Sequence, residues 1–247
     1  MYALIGGSGL YALDAGFKID RSDVPDTPYG QVSAELIIGE LDGQKLVFLP
    51  RHGDSHQIPP HRINYRANLW ALQNLGVRHI IAVNAVGGID QPPESLVIPD
   101  QIIDYSANRE HTFFDGDKPK VGHVDFTYPY SEALRERILD AGQRSGIGLV
   151  HSGTYGCTNG PRFETKAEII KMQRDGCSII GMTGMPEAAL ARELDMDYAS
   201  ISLVVNWCAG IEESILDMEQ IGQTLEQGMK TVIRLVKTLL ATSASDP

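Results

Sequence analysis

Residues 65–88 read YRANLWALQNLGVRHIIAVNAVGG, and this stretch decides the class of fold. Leu69, Leu72 and Leu75 recur at helical spacing and Gly76 stops the run, which predicts a helix over Tyr65–Leu75. Arg78–Val83 follows as an Ile-rich buried strand and leads into Asn84-Ala85-Val86-Gly87-Gly88. The same alternation extends both ways. Upstream, Tyr2–Ile5 reads as a short buried strand before the turn Gly6–Gly9. Val32–Leu41 and Lys45–Leu49 read as strands around Asp42-Gly43, a hairpin signal. Downstream, helices are expected at Ser131–Arg144, Thr165–Asp175, Pro186–Leu194 and Met218–Leu240. Strands are expected at Leu149–Tyr155, Ser178–Ile180 and Tyr198–Val205, and Gln91–Tyr130 reads as an irregular excursion. Strands alternating with helices throughout indicate a single α/β domain, here residues 1–240, with 241–247 as a disordered tail.

Composition narrows the function. The chain has 247 residues and a net charge of −11, so nucleic acid and anionic membrane are disfavoured as partners. Three widely spaced cysteines, Cys157, Cys177 and Cys208, make neither a disulfide framework nor a structural zinc site. The N-terminus lacks a signal-peptide pattern and no apolar run approaches the roughly 20 residues of a membrane span, so a cytoplasmic protein is expected.

Several residues carry chemistry. Phe163 offers a flat apolar wall, Glu164 an acceptor and Asn206 both a donor and an acceptor. Together they suit the edge of a purine with oxygen at position 6: the carboxylate meets the N–H at ring position 1, and the amide meets nitrogen 7 and oxygen 6. A plainer reading has Glu164 opening an exposed helix and Asn206 ending a strand. Gly6-Gly7-Ser8-Gly9 fits neither the dinucleotide fingerprint nor a P-loop, yet its backbone N–H groups and the Ser8 hydroxyl suit a phosphate oxygen. Arg51, beside His52, is a natural bidentate partner for phosphate. A metal site at His52, His56 and His61 is disfavoured because Pro59-Pro60 breaks any single helix. Met182 is readable as an ordinary core residue, and His123 as a surface one.

The chain resembles the purine nucleoside phosphorylase superfamily, in its methylthioadenosine phosphorylase branch. The resemblance is carried in order by Ile5-Gly6-Gly7-Ser8-Gly9-Leu10, Arg51-His52-Gly53 with His56, Asn64–Leu72, Asn84–Gly88, Gly160-Pro161-Arg162-Phe163 and Gly181–Glu187. It implies a central mixed, barrel-like sheet wrapped by helices. It also implies phosphate binding by Ser8, Arg51, His52, Asn84, Ala85 and Thr183, with Arg51, His52 and Asn206 catalytic.

Substrate contacts are implied for His56 near the sugar, Met182 under the ribose, and Phe163, Glu164, Asn206, Trp207 and Cys208 at the base. His123 lies in a segment that relatives donate across a subunit interface. Met218, in a run without histidine, is expected to wall a 5′-methylthio group. Glu164 and Asn206 depart from the methylthioadenosine branch, which uses a small hydroxyl residue and an Asp, and match the enzymes that cleave inosine and guanosine. The combination implies phosphorolysis of S-methyl-5′-thioinosine, with inorganic phosphate as co-substrate and no metal or other cofactor. Methylthioadenosine and inosine or guanosine remain alternative substrates, and a nucleoside-binding regulator the non-enzyme alternative. Homotrimers or pairs of trimers are expected.

Overall fold

The computed structural model describes the whole chain except residues 8–16, 117–120, 213–215 and 244–247. Among these described residues ten strands form one mixed sheet: β1 Tyr2–Gly6, β2 Phe17–Asp23, β3 Leu36–Leu41, β4 Gln44–Pro50, β5 His79–Gly88, β6 Leu96–Val97, β7 Gln101–Asp104, β8 Thr154–Cys157, β9 Ile179–Gly181 and β10 Asp197–Trp207. Among the described residues five α-helices cover it: α1 Tyr65–Asn74, α2 Glu132–Ser145, α3 Lys166–Arg174, α4 Gly184–Glu193 and α5 Met218–Ser243.

The hairpin at Asp42-Gly43 forms as expected, with both residues at positive φ, 48° and 82°. β2 extends this antiparallel ribbon and carries no sequence signal, because its side chains lie mostly in solvent. Residues 32–35 stay outside the strand. The excursion at Gln91–Tyr130 holds two short strands, β6 and β7, built on pairing to β10 and β8. The strand expected at Leu149–Tyr155 lies later, at Thr154–Cys157, and Val150 makes only an isolated bridge to Val97.

Strand β1 is buried along its whole length, and neighbouring residues serve opposite faces. Leu4, Phe48 and Ile81 join a core with α2 and α5. Ile5, Leu49 and Ile80 join another with α1 and α4. Period-2 alternation with both faces apolar is what a sheet covered by helices on two sides requires.

Caps set the helix ends. Asn64 accepts from Ala67 N–H at α1, and Ser131 from Leu134 N–H at α2. Thr165 and Glu168 close a reciprocal capping box at α3. That box fixes the chain where it leaves Glu164. Thr165→Ala should therefore lower unfolding free energy by about 1 kcal/mol, read by urea denaturation; no loss of stability would deny the cap its anchoring role.

Candidate active site

The sheet opens at β5. Its pairing with β1 runs from His79 to Ala82, and β9 joins only at Gly87 and Gly88. On its other edge β10 pairs with β5 throughout. Val83–Val86 thus lack a strand neighbour on one edge among the described residues. A cavity of about 590 Å³ occupies this opening, lined by Val83–Gly87 and by loops that leave the ends of β1, β4 and β9. Ligand sites of α/β sheets form at such divergences, where backbone polar groups are left for a ligand.

The floor is a buried polar network. Arg51 is only 1% exposed and Glu187 0%. Arg51 Nε and Nη2 donate to the two oxygens of Glu187 at 3.1 and 2.8 Å. Nη1 donates to Val83 O and Asn84 Oδ1, and Nη2 also approaches Ile5 O at 3.5 Å. Tyr198 OH donates to Glu187 as well. Burial alone would lower the guanidinium's pKa, but the Glu187 charge and hydrogen bonds outweigh it and the value rises. Thr183 Oγ1 donates to the same Asn84 Oδ1 at 3.0 Å, so two donors from separate elements converge on one acceptor. Asn84 Nδ2 in turn donates to Ser200 Oγ, which holds the amide in place.

His52 sits above this floor. Its Nδ1 lies 2.8 Å from Ile58 O, and its ring packs 4.5 Å from that of His56. Burial first, then the Arg51 charge, pull its pKa down to about 4.

At the other end, Thr158 Oγ1 donates to Glu164 Oε1 at 2.6 Å and orients the carboxylate. A register shift in β10 between Val204 and Asn206 breaks the strand's alternation, so Val205 and Asn206 both line the cavity. Asn206 Nδ2 donates one hydrogen to Trp207 O at 2.7 Å, which leaves its second N–H and its carbonyl for a ligand. A Cβ on Gly87 would lie 2.7 Å from Cys208 Sγ and 3.5 Å from Asn206 Nδ2, so only glycine lets β5 approach this end. The Cys208 thiol is pushed up to about 12 by burial and then by the Glu164 carboxylate, and is no nucleophile.

The third wall is apolar. Leu216, and Ile221, Leu225 and Met229 at successive turns of α5, face the cavity.

The family description "Phosphorylase superfamily" matches residues 1–241. The chain is 49% identical to "Probable S-methyl-5′-thioinosine phosphorylase" of Pseudomonas syringae, over 98% of this chain and 99% of that one. It is 42% identical to "6-oxopurine nucleoside phosphorylase" of Pyrococcus furiosus, over 95% and 89% of the two chains. Methylthioadenosine phosphorylase from Schistosoma mansoni in complex with adenine superposes with a TM-score of 0.93 at 32% identity, covering 100% of this chain and 92% of that one. The chain belongs to the phosphorylase superfamily.

Most residues singled out from sequence meet in this phosphorylase cavity: Arg51, His52, His56, Asn84, Ala85, Phe163, Glu164, Met182, Thr183, Asn206 and Cys208. Ser8 lies outside the described residues. Two expected cavity residues, Met218 and Trp207, lie elsewhere. Met218 is 63% exposed at the first turn of α5 and does not line the cavity; the apolar wall comes from the helix face one turn further on. Trp207, one residue past Asn206, is turned off the cavity by the strand's alternation. His123 is exposed and apart from it. Arg51 is also more committed than a free phosphate clamp, because each of its five N–H groups has a protein acceptor.

The sequence reading passed over Thr158, Tyr198 and Arg109. Buried Arg109 donates to Thr158 O, Asn159 O and Met185 O, tying together two loops at the cavity mouth. Nothing in local spacing marks these residues. The 221, 225, 229 spacing was legible. Among the described residues no group of three or more His, Cys, Asp or Glu is placed to hold a metal, and no helix is long and apolar enough to cross a membrane.

Removing one partner of a buried pair strands the other charge. Glu187→Ala should cost about 3–5 kcal/mol of stability, against about 1 kcal/mol for Tyr198→Phe. Equal small losses in thermal unfolding would mean that Arg51 finds another counter-charge.

Proposed function

We propose that this phosphorylase cleaves S-methyl-5′-thioinosine with inorganic phosphate, giving hypoxanthine and 5-methylthioribose 1-phosphate. The observation that carries the reading is the Glu164 carboxylate, oriented by Thr158 in the same cavity as the Asn206 amide and facing an apolar wall from α5.

The base lies between Phe163, Glu164 and Asn206, with Cys208 beside it. Glu164 Oε2 accepts from the N–H at ring position 1. Adenine has a lone pair there and would leave a carboxylate opposite an acceptor. Met182 lies under the ribose and His56 near its hydroxyls. The 5′-methylthio group rests on Ile221, Leu225 and Met229, where a hydroxyl would find no partner.

Phosphate occupies the opposite end. Its oxygens compete with Asn84 Oδ1 for the donors of Arg51 Nη1 and Thr183 Oγ1, and Ala85 offers its backbone N–H at the unpaired edge of β5. Ser8, which lies outside the described residues, is a further phosphate ligand that the resemblance implies. A phosphate oxygen attacks the anomeric carbon as the bond to the purine breaks, and positive charge develops on the sugar next to the anion. Asn206 has no acidic proton to give. It stabilises the departing base by donating a hydrogen bond to nitrogen 7, a contribution of about 2.7–4 kcal/mol to the barrier.

The reading extends to assembly. His123 is exposed beside Val121, Val124 and Tyr128, all apolar and exposed. A homotrimer, or a pair of trimers, would bury that face and bring His123 to a neighbouring site. Cleavage of unmodified 6-oxopurine nucleosides is the second reading, supported by the Pyrococcus furiosus relative; the α5 wall disfavours it.

The double variant Glu164→Ser, Asn206→Asp tests base recognition. Its ratio of kcat/KM for methylthioinosine over methylthioadenosine should fall by at least about 10²-fold, because a site built around one donor rejects the analogue lacking it. An unchanged ratio would remove Glu164 from the base site.

A further inference from the structure

We infer that Arg109 is a positioning residue that holds three cavity loops at a fixed spacing, and so sets the distance between phosphate and the anomeric carbon. The inference rests on the phosphorolysis reading above and assigns what keeps the two ends of that site in register.

Arg109 is 9% exposed and does not itself line the cavity. Its fork spans the loops that do. Nη2 donates to Thr158 O at 3.1 Å and Asn159 O at 3.0 Å, in the loop after β8 that carries Phe163 and Glu164. Nη1 donates to Met185 O, just past Met182 and Thr183 in the segment after β9. Nη1 also donates to Tyr65 OH at 3.3 Å, and that hydroxyl gives its own proton to Pro60 O at 3.0 Å. Pro60 belongs to the loop after β4 that carries His52 and His56. One guanidinium thus reaches all three.

Among the described residues no carboxylate pairs with Arg109, and its Nε finds no acceptor. A buried guanidinium without a counter-charge is costly, so an ion pair is not what keeps it here. Its partners are main-chain carbonyls and one hydroxyl, which a planar fork holds at fixed angles and a lysine ammonium does not. The segment that delivers it is anchored by residues outside the cavity. Glu193 of α4 accepts from Thr112 Oγ1 and Phe113 N–H, both at 2.7 Å. Arg66 of α1 pairs with Glu110 and Asp115, both at 2.9 Å.

The loops after β8 and β9 are also joined nearer their strands, by Thr158 N–H to Gly181 O and Met185 N–H to Cys157 Sγ. Loss of Arg109 therefore leaves each end formed and alters their spacing. In phosphorolysis that spacing is the gap a phosphate oxygen crosses, and a misplacement of about 1 Å can cost about 10²-fold in rate.

Full-length Arg109→Met and Arg109→Lys are compared with wild type in a single turnover of methylthioinosine at saturating phosphate. Hypoxanthine and phosphate are titrated separately by calorimetry. Both variants should cleave about 10²-fold more slowly, while each ligand alone binds within a few-fold of wild type. Arg109→Lys keeps the charge without the fork, so it should not recover the rate. A merely structural role would lower thermal stability without separating rate from single-ligand affinity. If neither variant folds, Tyr65→Phe breaks the link to Pro60 and should show the same separation at smaller size.

An unchanged rate in a folded variant, full recovery by lysine, or equal losses in rate and both affinities would overturn the inference. Absence of the separation in Tyr65→Phe, where that variant decides, would overturn it too. Wild-type protein that cleaves no 6-oxopurine nucleoside with phosphate would instead defeat the functional reading. Where wild type cleaves inosine rather than methylthioinosine, inosine serves the same comparison.

Discussion

One constraint organises the molecule: β5 keeps β10 on one edge for its whole length but changes partners on the other. Between Ala82, where β1 leaves, and Gly87, where β9 joins, the backbone has no strand on that side among the described residues. A buried edge of this kind needs other partners or a ligand. Arg51 supplies one by donating to Val83 O, and the cavity takes the rest. Glu187 and Tyr198, from α4 and β10, then hold Arg51 in place. The gap in the sheet, the buried ion pair and the proposed phosphate end are thus consequences of a single change of strand partners.

Specificity is layered on this frame by two local devices. The register shift in β10 turns Asn206 into the cavity beside Val205, and the Thr165 capping box fixes the segment that carries Glu164. Neither device involves Arg51, Asn84 or Glu187, so the proposed base end and the proposed phosphate end rest on separate contacts. The α5 wall is a third element, an ordinary amphipathic face whose first turns extend past the core and border the site.

Much of this was legible in the sequence because the governing signals are local. Leu69, Leu72 and Leu75 fix α1 by periodicity, Asp42-Gly43 fixes a hairpin by turn chemistry, and Ser131 suits the start of α2 as a cap. The cavity residues were legible through the ordered resemblance. What escaped depends on pairing across the chain. Strands β6 and β7 are two and four residues long and exist through their partners, and β2 has almost no buried face. The fork at β5 has no sequence signature, since an Ile-rich strand looks the same whichever neighbour it has. Asp217 caps α5 by accepting from the Glu219 and Gln220 N–H groups, and Met218, in the first turn, falls on the exposed side of the helix rather than on the cavity side. Arg51 reads as a phosphate clamp in sequence, and only the fold reveals that Glu187, 136 residues away, already holds it.

The most direct measurement is phosphate-dependent kcat/KM on the wild-type protein for methylthioinosine, methylthioadenosine and inosine side by side. Recognition of the protonated purine edge by Glu164 predicts that methylthioinosine exceeds methylthioadenosine by about 10⁴-fold, and inosine by the weaker factor of about 10² that an apolar pocket provides. Methylthioadenosine cleaved as well as methylthioinosine would contradict the account at its centre.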